Sequence, residues 1–282
     1  MFLWGSSFVA MKYAIREMDP MLIVFGRMII ASLCFLPFVR SFSRLGLQRT
    51  HILPLLGMGL CEPCLYFLFE ATALDLTSAS QASMITTMLP LLVALAAGLF
   101  LGESITRRVV AGLFLAAVGA VWLGLAAAVS EYAPHPVLGN FLEFLAMVAA
   151  TGYIILLKKL SASLPPLFLT ATQAFTGAVF FLFVTLFSGT EIPKIISLSG
   201  LLSVLYLGTF VSVGAYGLYN FAVSRVPANQ AAAFINLIPV CTIVLGFLCL
   251  GERLTGWQLT ACLLIFAGVM LTQYNKSERE KL

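Results

Sequence analysis

The feature that most constrains this chain is a succession of apolar runs, each about 20 residues long, with most of the charges gathered into the short gaps between them. The runs fall at about 1–17, 21–39, 51–73, 79–101 and 107–126, and again at about 137–157, 166–187, 198–222, 228–250 and 256–274. A helix that crosses a bilayer needs about 20 apolar residues. The sequence therefore predicts an all-α integral membrane protein with ten transmembrane helices and almost no soluble domain. Composition agrees: 61% of the 282 residues are hydrophobic and 10% are charged, against about 25% charged in a soluble domain. The first run is barely long enough to span, so its helix is expected to lack its start. Met1 opens directly into Phe2-Leu3-Trp4 with no basic leader, and no cleavable signal peptide is expected.

The runs form two sets of five. A shift of 149 positions lays Ala79 on Ala228, Gln81 on Gln230, Pro90 on Pro239 and Leu101-Gly102-Glu103 on Leu250-Gly251-Glu252, with Thr106 on Thr255 and Gly119 on Gly268 beyond them. A proline inside an apolar run, followed at a fixed distance by Leu-Gly-Glu-x-x-Thr, is hard to duplicate by chance. The expected organisation is a first five-helix repeat over 1–126, a connection at 127–136, a second repeat over 137–275 and a tail at 276–282. Five helices per repeat is an odd number, so the second copy is inverted in the membrane, a construction typical of secondary transporters. Gly102-Glu103 and Gly251-Glu252 read as helix ends, with Thr106 and Thr255 capping the helices that follow.

Positive charge sets the orientation. With the N-terminus inside, the cytoplasmic side holds Arg40, Arg44, Arg49, Arg107, Arg108, Lys158, Lys159, Arg225, Lys276, Arg279 and Lys281, and the outer side only Arg16, Lys194 and Arg253. Both termini are expected in the cytoplasm, in a multi-pass protein of the cell (inner) membrane. Trp257 and Tyr274 are expected at headgroup level at the two ends of the last helix. The net charge of +4 forms no basic block, so no nucleic-acid partner is expected.

Trp4-Gly5-Ser6-Ser7-Phe8-Val9-Ala10-Met11-Lys12, then Arg27, then the twin Pro…Leu-Gly-Glu segments, resemble the drug/metabolite transporter superfamily, in particular its EamA-type members with two repeats. The resemblance covers essentially the whole chain. It implies two inverted five-helix repeats, a cavity near the midplane lined mainly by helices 1, 3, 4, 6, 8 and 9, peripheral helices 5 and 10, and alternating access. It also implies a small-molecule metabolite as substrate, an amino acid or related compound, with export the expected direction. Sugars, nucleotide sugars and phosphorylated compounds are carried by other members.

Five charged residues lie inside the runs: Lys12, Arg27, Glu62, Glu70 and Glu143. A charge at a helix centre costs about 2.5–3.5 kcal/mol on the insertion scale, so such residues face a cavity or a partner. Lys12 either serves the site or snorkels to the outer headgroups. Arg27 either pairs with Glu143, at a matching depth of roughly 10 Å by helix rise, or captures a substrate carboxylate or phosphate. Glu70, near the outer end of its helix, also reads as a solvated vestibule residue. Glu62, at mid-span beside Pro63, can bind a cationic substrate group, exchange a proton that couples transport, or stand as a structural acid. Tyr66 and Glu70 follow it on nearly the same helix face.

Ser212, Tyr216, Tyr219 and Asn220 form a polar stripe on helix 8, and Ser83, Thr87 and Asn236 add polar groups on helices 4 and 9. Each can instead simply bond a neighbouring helix, worth about 0.6 kcal/mol on average. Pro90 and Pro239 lie mid-helix at corresponding places in the two halves, the pattern that points to hinges at a transporter binding site; a packing kink is the alternative.

A polytopic membrane enzyme, or a receptor or scaffold without transport activity, are the rival classes. No H-E-x-x-H, no intramembrane aspartate pair and no G-x-x-x-x-G-K-[ST] is present. Cys61-x-x-Cys64 has no companion pair, and Cys34, Cys241, Cys249 and Cys262 also sit in apolar runs as core residues. No cofactor, metal or disulfide framework is expected; the bilayer, and protons as coupling ion, complete the expected partners.

Overall fold

In the computed structural model of the chain, residues 1–101, 107–126, 129–130, 133–190, 193, 196–226, 231–232 and 234–273 are described. Helices dominate: α1 (Phe2–Ile15), α2 (Pro20–Phe42), α3 (Arg49–Leu76), α4 (Ala79–Phe100), α5 (Arg107–Leu125), α6 (Pro136–Leu160), α7 (Pro166–Phe187), α8 (Leu198–Arg225), α9 (Phe234–Leu250) and α10 (Gly256–Gln273). α2, α3, α4, α6, α7 and α8 are long and apolar enough to cross a membrane; α5, α9 and α10 carry shorter apolar stretches.

Local chemistry sets the boundaries. Asp19 caps α2 by accepting from the Met21 N–H at 2.8 Å, with Pro20 in the first turn where its missing N–H costs nothing. Ser78 and Ser197 cap α4 and α8 in the same way. Gly251 closes α9 in the left-handed region at φ 69°. Thr255 and Gln258 then exchange side chain-to-backbone bonds at 2.7 and 3.3 Å to start α10, as the Leu-Gly-Glu-x-x-Thr pattern predicts. Gly102, Glu103 and Thr106, its counterparts in the first half, lie outside the described residues, as does Tyr274.

Beside an apolar core, burial departs from that of a soluble protein on both sides. Leu53, Phe114, Phe187, Leu218 and Leu248 are exposed, whereas Arg27, Glu62, Glu70, Gln81, Asn140, Glu143, Gln173 and Asn220 are buried. Large apolar side chains facing outward suit hydrocarbon as solvent, and polar groups in the interior must find partners or line a cavity.

Departures from α geometry in α3, α4, α8 and α9 fall at places the 149-residue shift relates; α2 adds a 3-10 turn at Leu36–Phe38 and α9 a π segment at Gly246–Leu250. α3 opens into a π segment at Leu60–Leu65, where Glu62 leaves helical geometry (φ −147°, ψ 117°), and α8 does so at Leu207–Ala215. α4 tightens to 3-10 at Thr86–Met88 just before Pro90, and α9 at Phe234–Leu237 just before Pro239. Close contacts repeat in the same way. A Cβ on Gly59 would lie 3.2 Å from Thr176 Oγ1, and one on Gly208 would lie 3.1 Å from the carbonyl oxygen of Arg27, the position equivalent to Thr176. α5 and α10 pack on each other through another such pair: a Cβ on Gly119 would meet the Ala261 carbonyl oxygen at 3.0 Å, and one on Gly268 the Gly112 carbonyl oxygen at 2.6 Å.

Candidate functional site

A cavity with an empty volume of about 520 Å³ lies among α1, α2, α3, α4, α6, α8 and α9. α1 supplies Trp4, Ser7 and Phe8; α2 supplies Arg27; α3 supplies Glu62, Tyr66, Phe67 and Glu70. α4 and α9 contribute Thr86, Leu89, Ile235 and Ile238, α6 contributes Met147, Ala150, Tyr153 and Ile154, and α8 contributes Val211, Tyr216 and Tyr219.

The lining follows the repeat. Trp4 is equivalent to Tyr153, Glu62 to Val211, Phe67 to Tyr216, Glu70 to Tyr219, Thr86 to Ile235 and Leu89 to Ile238, each by the same 149-residue shift. Positions on the cavity wall thus recur at this shift, while the side chains they carry differ. The first half contributes the charged groups Glu62 and Glu70, and the second half places Val211 and Tyr219 at the matching positions.

The irregular segments explain why these side chains reach the cavity. Thr86 and Leu89, like Ile235 and Ile238, sit in or just after the 3-10 turns that precede Pro90 and Pro239. A proline cannot donate to the carbonyl four residues back, and the 3-10 turn satisfies backbone there with shorter-range bonds. Thr86 and Thr87 fold their hydroxyls onto the carbonyls of Ser83 and Met84, both at 2.7 Å. On α3 the break at Glu62 turns this carboxylate inward.

The charged wall is ordered. Arg27 is 2% exposed; its Nε donates to Ser212 Oγ at 3.0 Å, and its guanidinium lies 4.3 Å from the Phe67 ring centroid. A desolvated cation–π contact of this kind is worth about 2 kcal/mol. Arg27 acts electrostatically on both Glu62 and Glu70. The Tyr66 hydroxyl donates to Glu70 Oε1 at 2.7 Å. Trp4 packs against Tyr216 (5.2 Å, 69°) and Tyr219 (4.9 Å, 55°), and Tyr216 in turn meets the Phe67 ring at 6.0 Å. Trp4 Nε1 and Tyr219 Oη are buried without a hydrogen-bond partner among the described residues. Unpartnered buried donors on a cavity wall are groups a ligand can satisfy.

The other candidate residues divide clearly. Ser212 lines a smaller adjoining cavity of about 230 Å³, together with Pro63 and Gln173. Asn220 turns away from the main cavity: it accepts from Tyr153 and donates to Thr170 Oγ1 and Gln173 Oε1, both at 2.9 Å. The π segment in α8 ends before Tyr216, so Tyr216, Tyr219 and Asn220 share one regular α-helical stretch, whose azimuth turns the tyrosines to the main cavity and Asn220 to the buried network. Ser83 bonds the Ser80 carbonyl within its own helix. Asn236 is not a lining residue, and its Oδ1 is buried and unpartnered among the described residues. Lys12 is 7% exposed in the last turn of α1 and lies in the field of Glu252 and Asp75. Glu143 is fully buried beside the cavity, and neither carboxylate oxygen has a hydrogen-bond partner among the described residues. The predicted alternative of an Arg27–Glu143 ion pair is therefore not what holds Arg27, which Ser212 and Phe67 fix instead.

Trp4, Phe67, Tyr153, Thr86 and Met147 line the cavity without having been singled out as site candidates from sequence. The repeat shift relates Phe67 to the candidate Tyr216, and this pairing is a signal that finds it; the other four carry no such signal. Cys61 and Cys64 form no disulfide, and no cluster of metal-ligating side chains occurs among the described residues.

Apolar helices around a cavity with breaks at equivalent places define a multi-pass membrane transporter class. The EamA-like transporter family matches residues 1–125 and 137–274, and the chain belongs to this family. An "Uncharacterized transporter" of Archaeoglobus fulgidus is 27% identical over 96% of this chain and 94% of its own length. A Salmonella typhimurium protein named "Probable amino-acid metabolite efflux pump" is 25% identical over 96% of this chain and 91% of its own. A solved crystal structure superposes with a TM-score of 0.64 at 21% identity, over 96% of this chain and 93% of that one, and shares the fold.

Proposed function

We propose that the protein is a proton-coupled secondary transporter that exports a small zwitterionic metabolite, an amino acid or a close relative, by alternating access. The observation that carries this reading is the pairing of opposite charges on one cavity wall. Arg27 suits a carboxylate, Glu62 suits an ammonium group, and the Trp4–Tyr216–Tyr219 cluster offers an aromatic surface to the side chain between them. The name of the Salmonella relative points to the same substrate class. In this reading the two five-helix halves, 1–126 and 137–275, rock about the cavity as inverted repeats. Both termini face the cytoplasm of the cell membrane. The matched breaks in α3 and α8 and in α4 and α9 support the repeat, and the excess of Lys and Arg in alternate loops supports the orientation.

The test is counterflow in proteoliposomes with labelled amino acids, sugars and nucleosides. An amino acid is expected to exchange, and Glu62→Gln and Arg27→Gln are each expected to lower exchange by about 10- to 100-fold, as loss of a charge-assisted bond of about 1.5–3 kcal/mol implies. Exchange of sugars or nucleosides alone would overturn the substrate class. Full exchange in both variants would overturn the site.

A further inference from the structure

Glu143 is the one carboxylate among the described residues that is fully buried with both oxygens unpartnered. Its position relative to α3 follows from an antiparallel register marked by close contacts. A Cβ on Gly139 would lie 3.0 Å from the Ala73 carbonyl oxygen, and one on Gly152 would lie 2.8 Å from Cys61 Sγ. One helical turn beyond Gly139, Glu143 therefore stands opposite Glu70, which lines the cavity and acts on it electrostatically.

We propose that Glu143 and the facing Glu70 form a proton-binding site in the wall between α3 and α6, and that this pair, rather than Glu62, carries the coupling proton. The coupling role rests on the proposed transport activity; the proton site stands on the geometry alone. A carboxylate in this interior with no donor leaves its desolvation uncompensated, and a second negative charge on the neighbouring helix adds to the cost. One proton on Glu143 removes both penalties. At Glu70 the Tyr66 hydroxyl donates to Oε1 at 2.7 Å, which leaves Glu143 as the member of the pair without a donor. α4 has no ionisable side chain along its described length, α5 has only Arg107 and Arg108 at its start, and Tyr216 and Tyr219 face the pair from across the cavity. Release breaks the O–H bond of Glu143 and passes the proton to a water oxygen, leaving a carboxylate. In the arrangement described, that water has no access. Release therefore requires the α3–α6 interface to open, which is a movement alternating access supplies. Depth along the helix favours Glu62 as the proton carrier, but Glu62 faces the cavity where a substrate ammonium can neutralise it.

The test uses the full chain in lipid nanodiscs, with the proton as probe. Infrared spectra at neutral pH, in water and in deuterium oxide, are expected to show the carbonyl stretch of a protonated buried carboxyl. The stretch should vanish in Glu143→Gln, persist in Glu62→Gln and Glu143→Asp, and change frequency in Glu70→Gln. A stretch that survives Glu143→Gln, or that Glu70→Gln leaves unmoved, overturns the site. Should Glu143→Gln fail to assemble, the Glu70→Gln spectrum alone decides. In proteoliposomes, the ratio of transport of the exchanged amino acid with and without a proton gradient should fall to one in Glu143→Gln. An unchanged ratio, or a dependence on a sodium gradient instead, overturns the coupling role. If no solute moves in the wild-type protein, the transport reading fails and the spectra still decide the proton site.

Discussion

Glu252 shows how one residue can bind the two halves together. Its carboxylate accepts from the backbone N–H groups of Ala79 and Ser80, both at 2.9 Å, and from the Ser80 hydroxyl at 2.6 Å. These N–H groups open α4 and have no partner within their own helix, so the Glu of the second Leu-Gly-Glu segment caps a helix of the first half. A carboxylate there also answers the positive end of the helix dipole. Glu252→Ala is expected to lower stability by about 1–3 kcal/mol, the cost of donors left without a charged acceptor. Glu252→Gln should recover part of it. Thermal unfolding in detergent reads both, and an unchanged midpoint in Glu252→Ala would remove this role. Glu17 works similarly at the start of α8, accepting from the Ser197 N–H at 2.9 Å and its hydroxyl at 2.6 Å; these bonds hold its carboxyl below the usual range.

At the scale of elements, Pro90 and Pro239 matter for what they do to the turn before them. Each follows a 3-10 segment that brings a pair of side chains to the cavity: Thr86 and Leu89 on α4, Ile235 and Ile238 on α9. Alanine restores a backbone donor and lets a regular α-helix close through the site. Pro90→Ala and Pro239→Ala are therefore expected to fold and insert normally while slowing counterflow. Rates equal to wild type in both would reduce the prolines to packing kinks. Lys158 illustrates the opposite device, a long cation that closes a helix end: its Nζ donates to the carbonyls of Val223 and Val226, both at 2.9 Å, at the C-terminus of α8.

For the whole molecule, the proposed orientation makes a prediction about sidedness. In a background lacking Cys34, Cys61, Cys64, Cys241, Cys249 and Cys262, single cysteines at positions 44 and 161 should react only from the cytoplasmic side, and those at 130 and 188 only from outside. Position 130 lies between the halves, so its labelling from the cytoplasm would overturn the inverted arrangement. The contacts that join connections across the molecule agree with one common face. Glu17 meets Ser197, His135 donates its N–H to the Leu76 carbonyl at 3.1 Å, and Glu252 meets Ser80, all at ends the charge pattern assigns to the outside.

The boundaries of the helices are legible in the sequence because hydrocarbon imposes a length of apolar chain on each of them, and because Asp19-Pro20, Ser78, Gly251 and Thr255 carry their capping chemistry locally. The matched Pro and Leu-Gly-Glu positions are legible for the same reason, as a pattern along one dimension. Which polar residues meet is a different matter. Ser212, Tyr216 and Asn220 read as one stripe, yet Ser212 faces a small cavity, Tyr216 the main cavity and Asn220 a buried network. Arg27 and Glu143 share a depth, yet Arg27 is held by a serine and an aromatic ring while Glu143 faces another acid. Depth follows from counting residues along a helix; azimuth depends on where the helix is over- or underwound and on which neighbour packs against it. That second coordinate exists only once the helices are assembled, and it is what separates the lining of the cavity from the polar groups that merely hold it together.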